Sequence, residues 1–139
     1  MPREPVLPLR SIRPIDGGAG AGLERRWARH REVAEEFWRK VEAMGLELLV
    51  AHEHRLPTLT TIKVPPGIDA TKVVTYILQK YQVEIGNGLG DLRGKAWRIG
   101  LMGYNSRHDV SMTVLGALKD ALAQQGWTGR QGKCVLSKL

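Results

Sequence analysis

The segment Lys95–Arg107, KAWRIGLMGYNSR, constrains this chain more than any other. Side chains alternate across a strand, so Lys95, Trp97, Ile99 and Leu101 share one face, and Ala96, Arg98, Gly100 and Met102 the other. The first face is mostly large and apolar and has to pack on a core. The second carries one arginine between two small residues, and glycine within a strand often marks a close approach to the backbone. Periodicity leaves two readings of Arg98 open. It is a solvated or salt-bridged strand residue, or a planar, two-pronged anchor for a carboxylate. The strand stops at Gly103, and Asn105 or Ser106 then opens a helix, with Ser106-x-x-Asp109 resembling a capping box.

A strand with one apolar face needs partners, and the rest of the chain supplies them. Gly22–Met44 reads as a long amphipathic helix, with Leu23, Trp27, Ala34, Phe37, Trp38 and Val41 at helical spacing and Gly45 as its stop. Leu46–Val50 and the β-branched Leu59–Val64 read as strands. Asp69 is placed to cap a second helix with Val73, Val74, Ile77, Leu78 and Tyr81 on its apolar face. Gln82–Ile85 reads as a further strand, and Gly86–Gly90 as a flexible turn. Val110, Val114, Ala117, Leu118 and Ala121 line a last helix that ends at Gly126. This order predicts an α+β domain over residues 22–126: a small antiparallel or mixed sheet with helices packed on one face. Residues 1–21 hold four prolines and the run Gly17-Gly18-Ala19-Gly20, so they read as a disordered lead-in. Residues 127–139 read as a flexible polar tail.

Several classes of function lose support. No apolar run approaches the roughly 18 residues of a membrane span. The net charge of +7 raises nucleic acid as a partner, but much of it sits on the first helix among nearly as many acids. Arg31–Glu35, Glu35–Arg39 and Glu36–Lys40 are spaced as i,i+4 pairs of a solvated face, so neither nucleic acid nor membrane is expected. One cysteine, Cys134, excludes an intramolecular disulfide and fits a reducing compartment. His52-x-His54 is the close histidine pair, yet no third ligand stands nearby, so a solvated loop is expected there and no metal site. The aromatic residues Trp27, Phe37 and Trp38 are expected in the core rather than in a ligand platform. Gly86-Asn87-Gly88-Leu89-Gly90 is followed by another strand and not by a helix, which argues against a phosphate loop. Lysines 40, 63, 72, 80, 95, 119, 133 and 138 fall on polar helix faces, strand flanks or the tail. No catalytic residue is assigned within the chain.

The run GNGLGDLRGKAWRIGLMGYNSR, preceded in the same order by RLPTLTTIKVPPGID from Arg55 to Asp69, resembles the serine/alanine–glyoxylate aminotransferases of class V, fold type I. The resemblance extends from about Gly22 to Gly126 and covers only the family's C-terminal small domain. It implies a domain or truncated form of an enzyme that moves an amino group from alanine or serine to glyoxylate. In that family pyridoxal phosphate is held by a lysine of the large domain, so the cofactor's ligands lie outside this chain, which alone is expected to be inactive. The resemblance makes Arg98, within RIGL, the residue that holds the substrate's α-carboxylate, and it implies a homodimer. The chain closes on Ser137-Lys138-Leu139, a receptor-read peroxisomal address, which points to the peroxisome and to an import receptor as a partner. The other reading is a non-catalytic module that docks on full-length aminotransferase subunits or only on the import receptor.

Overall fold

The computed structural model describes residues 22–129. The lead-in read for residues 1–21 lies outside the described residues, as do Lys133, Cys134 and Ser137-Lys138-Leu139. Within the described span, three helices and a small antiparallel sheet form the expected α+β domain.

Helix α1 runs Leu23–Ala43 and is followed by Met44 as its cap. Gly45 takes φ +87° and turns the chain back, so that Gly45 N–H donates to Glu42 O and Leu46 N–H to Val41 O. A Cβ at Gly45 would also meet Gly129 O at 2.2 Å, so close packing demands glycine there as well. Strand β1 is Leu59–Lys63. Helix α2 is Ala70–Tyr81, and its cap is the expected one, with Asp69 Oδ1 accepting from Thr71 N–H at 3.0 Å and Lys72 N–H at 3.1 Å. Strand β2 is Gly86–Asn87, β3 is Ala96–Gly100 and α3 is His108–Gln124.

The sheet order is β1-β3-β2, with β3 central and both pairings antiparallel. Trp97, Ile99 and Leu101 are buried as their alternation requires, together with Ile62 across the ladder. They pack with Phe37 and Val41 of α1, Val73 and Ile77 of α2, and Val114, Leu118 and Leu122 of α3. Two tryptophans tie helices to sheet: Trp38 Nε1–H donates to Thr60 Oγ1 at 2.9 Å, and Trp97 Nε1–H to Ala70 O at 3.1 Å. Helices α2 and α3 run antiparallel, and Gln125 clasps the start of α2. Its Oε1 accepts from Asp69 N–H at 2.8 Å and its Nε2 donates to Asp69 O at 3.1 Å.

Four local expectations are corrected. Leu46–Val50 is no strand: Glu47–Leu49 lies beside β1, with Lys63 N–H on Glu47 O and Leu49 N–H on Thr61 O, and then bends away after one bridge. Gln82–Ile85 makes no ladder, because Gln82 takes φ +55° to end α2. The pairing is displaced to Gly86–Asn87, in the segment expected to be a flexible turn. Ser106 caps nothing. Arg107 is the residue before α3, Ser106 is fully buried with its Oγ unpartnered, and Asp109 pairs with Arg107 instead. Leu23 and Trp27, expected in the core, are 59% and 63% exposed.

Candidate substrate-anchoring site

All three helices pack against one side of the sheet, and Arg98 points from the other. It stands in the middle of the central strand, opposite Thr61 of β1 and Gly86 of β2. Its Nε–H donates to Asn87 O at 2.9 Å, which fixes the plane of the guanidinium and leaves the N–H groups of the two terminal nitrogens for another acceptor. Among the described residues no carboxylate lies within ion-pair distance of it. A half-buried, oriented and unpaired arginine can take a carboxylate through two parallel N–H bonds.

The room around Arg98 has a different source from the one its sequence neighbours suggested. Ala96 is fully buried, and the space over Gly100 is occupied by the Met102 methyl, which a Cβ at Gly100 would meet at 3.1 Å. The close approach is across the ladder, where a Cβ at Gly86 would lie 3.3 Å from Arg98 Nη2. Gly86 therefore lets the guanidinium lie flat along the sheet. The sequence carried that signal in the Gly-rich segment Gly86–Gly90, whose partner strand was not legible.

A second feature stands after β3. The turn Gly103–Asn105 is held by α1 at both of its polar groups: Gly103 N–H donates to His30 Nε2 at 3.0 Å, and Arg29 Nη2 donates to Gly103 O at 3.3 Å. His30 Nδ1 lies 2.7 Å from Arg26 O, so the ring carries its proton on Nδ1 and accepts on Nε2. The Arg107 guanidinium stacks over the Tyr104 ring at 4.6 Å and pairs with Asp109, whose carboxyl it holds below the usual range. Between this turn and the first half of α1 opens a cleft of about 970 Å³.

A third cluster joins α2 to α3. Asp120 Oδ2 accepts from Lys80 Nζ at 2.7 Å, Tyr81 OH at 2.7 Å and Tyr76 OH at 2.8 Å. The Lys80 ammonium, then the two phenols, hold the Asp120 carboxyl well below the usual carboxylate range, and Asp120 raises Lys80 and Tyr81 in turn. All three donors converge on one carboxylate across the two helices, so the cluster is a helix seam. Sequence reasoning missed it because its members come from different elements.

The remaining candidates separate. His52 and His54 form a short turn, where His52 meets the Trp38 ring edge-on at 5.8 Å. Among the described residues no group of three His, Cys, Asp or Glu side chains converges on a point, and no helix is long and apolar enough to cross a membrane. Of the three expected i,i+4 pairs on α1, Glu36–Lys40 forms, and the other two lie outside ion-pair distance. Lys40, Lys63 and Lys80 are bound to Glu36, Glu47 and Asp120, while Lys72, Lys95 and Lys119 are exposed.

A three-stranded antiparallel sheet with helices on one side matches the small α+β domain of solved aminotransferases, and the similarity of the chain is to class V of those enzymes. Within that class it matches the alanine–glyoxylate aminotransferases. It is 42% identical to the one from Callithrix jacchus over 122 residues, which make up 85% of this chain and 29% of that protein. The solved alanine–glyoxylate aminotransferase from Nostoc sp. superposes with a TM-score of 0.72 at 44% identity, over 73% of this chain and 27% of that one. The solved ureidoglycine–glyoxylate aminotransferase from Bacillus subtilis superposes with a TM-score of 0.76 at 35% identity, over 81% and 29%. The chain thus spans less than a third of the length of the curated relatives it matches. No family model matches the chain.

Proposed function

We propose that this chain is the substrate-anchoring small domain of a peroxisomal alanine/serine–glyoxylate aminotransferase, with Arg98 as the residue that grips the α-carboxylate of amino donor and keto acid. The observation that carries this is the state of Arg98: half-buried on the open side of the sheet, oriented by Asn87 O, and without a carboxylate among the described residues. Nε is spent on Asn87, so the terminal pair of N–H groups remains for the substrate. The planar fork of the guanidinium fixes the direction from which the substrate's reacting carbon approaches.

On the same reading the described residues leave pyridoxal phosphate to the rest of the enzyme. Their lysines are ion-paired or exposed, and none sits in a closed pocket facing Arg98. The cofactor and its lysine belong, on this reading, to the larger part of the enzyme and to a homodimer. The isolated chain then transaminates nothing, and borohydride reduction in the presence of pyridoxal phosphate labels no single lysine stoichiometrically. The peroxisomal part rests on Ser137-Lys138-Leu139 and on the family resemblance. An N-terminally tagged copy that stays cytosolic would refute it.

Arg98→Lys, placed in a full-length enzyme that carries this chain, tests the anchor. Lysine keeps the charge and loses the fork, so kcat/KM falls by about one to two orders of magnitude for donor and keto acid alike, at about 1.5–3 kcal/mol. The fold survives, because the side chain faces away from the core, and the thermal midpoint drops only by what the lost bond to Asn87 O contributed. Near-normal kcat/KM returns Arg98 to the role of an ordinary strand residue.

A further inference from the structure

Asn87 Oδ1 is buried and has no hydrogen-bond partner among the described residues. A buried carbonyl left unpaired is uncommon in folded proteins, and here no bond fixes it in place. The next residue is Gly88, which has no side chain to shield its backbone nitrogen from that carbonyl carbon. The glycine is required where it stands, because a Cβ would lie 2.0 Å from Leu92 O. In the closed sheet the nitrogen is occupied, with Gly88 N–H donating to Ala96 O at 2.8 Å. The hold is light. Strand β2 is a two-residue edge strand, half-buried throughout, and neither of its residues belongs to the hydrophobic core. The turn after it leaves Leu89 63% exposed. Such an edge opens locally far more often than the domain unfolds, and each opening frees Gly88 N.

The chemistry open to the freed nitrogen is a ring closure. Gly88 N bonds to Asn87 Cγ, the Cγ–Nδ2 bond breaks, and ammonia leaves with the proton that Gly88 N gives up. Water then opens the cyclic imide at one of its carbonyls. Attack at Asn87 Cγ gives aspartate and restores the original chain path. Attack at the main-chain carbonyl gives isoaspartate, in which the chain runs through Cγ and the former main-chain carbonyl becomes a free carboxylate. Asn87 O is the oxygen that Arg98 Nε already holds at 2.9 Å. A donor on that oxygen stabilises the oxyanion formed there and favours the second course. The resulting carboxylate stands beside a guanidinium that has no carboxylate partner among the described residues. We propose that Asn87–Gly88 is a site of spontaneous deamidation whose isoaspartate product closes Arg98 with a carboxylate of the chain's own. Its effect on catalysis rests on the reading of Arg98 as the substrate anchor.

The full chain, held at mildly alkaline pH and then digested, reveals the modification as isoaspartate in place of Asn87, by mass spectrometry and by enzymatic methylation. Asn105, the chain's other asparagine, is the internal reference, and Asn87 should convert several-fold faster. As Asn87 converts, the Arg98 guanidinium protons should exchange with solvent several-fold more slowly in NMR spectra of the same chain. In a full-length enzyme carrying the chain, activity should fall in step with the converted fraction. Asn87→Ala, which cannot cyclise, should show no decline over the same incubation. The proposal is overturned by conversion no faster than at Asn105, by aspartate as the main product, or by unchanged Arg98 exchange after conversion. Full activity in converted enzyme that Arg98→Lys does impair overturns it as well. Normal kcat/KM in fresh Arg98→Lys enzyme sinks the anchor instead, and leaves the conversion and the exchange result standing.

Discussion

Trp27 and Trp38 sit on one stripe of one helix and have opposite surroundings. Eleven residues separate them, which at about 3.6 per turn brings the second almost directly above the first. Trp38 is 5% exposed, donates to Thr60 and takes the edge of His52. Trp27 is 63% exposed beside an open cleft. The difference is one of length. At about 1.5 Å per residue the 21 residues of α1 extend about 32 Å, whereas a five-residue strand extends about 17 Å. The sheet floors only the second half of the helix. Periodicity tells which side of a helix is built for contact, and the rest of the chain decides whether contact is supplied.

That contrast can be broken most directly at Trp38. Trp38→Ala removes a buried indole and its bond to Thr60, and should cost about 3–5 kcal/mol in urea unfolding of the chain. A loss under about 1.5 kcal/mol would mean that the covered half of α1 is no better packed than the open half. Asp69→Ala probes the covered region at its edge. It removes the cap of α2 and should cost about 1 kcal/mol by the same measurement. Asp120→Ala sharpens the contrast through pH. The Asp120 carboxyl is depressed in the folded chain, so its contribution is present above the unfolded pKa of about 4 and is lost as pH falls further. The gap in urea midpoint between wild type and Asp120→Ala should therefore be open at pH 7 and shrink between about pH 5 and pH 2. A gap that stays constant over that range would assign the effect to packing. The smallest effect belongs to Trp27→Ala, under about 0.5 kcal/mol in the free chain. A cost near that of Trp38→Ala would show that Trp27 is covered after all.

The sequence made the helices and the two long strands legible because each carries its own period. Trp97, Ile99 and Leu101 were placed in the core by alternation, and Asp69 was placed as a cap by its position before an apolar helix face. What escaped depends on a second segment. The residues at Leu46–Val50 and Gln82–Ile85 have strand composition, but the length of the neighbouring edge and the left-handed turn at Gln82 decide how much of each can pair. Ser106 looked like a cap from local spacing, yet the turn at Gly103, held by His30 and Arg29, moves the helix start one residue on and buries the hydroxyl. At the candidate site, Arg98 and its facing were readable. The bond to Asn87 and the clearance over Gly86 were not, because both cross the ladder.

The clasp between Gln125 and Asp69 sets a length as well as a contact. Gln125 reaches both backbone groups of Asp69 only because α3 stops where α2 begins, so the one fixes the residue count of the other. Each residue turns an α-helix by about 100°, so adding or removing one within α3 would swing Gln125 a quarter of the way round and empty both bonds. Residues can be exchanged along the outer side of α3 with little consequence, but its number of residues is held from outside, by the first residue of another helix's cap.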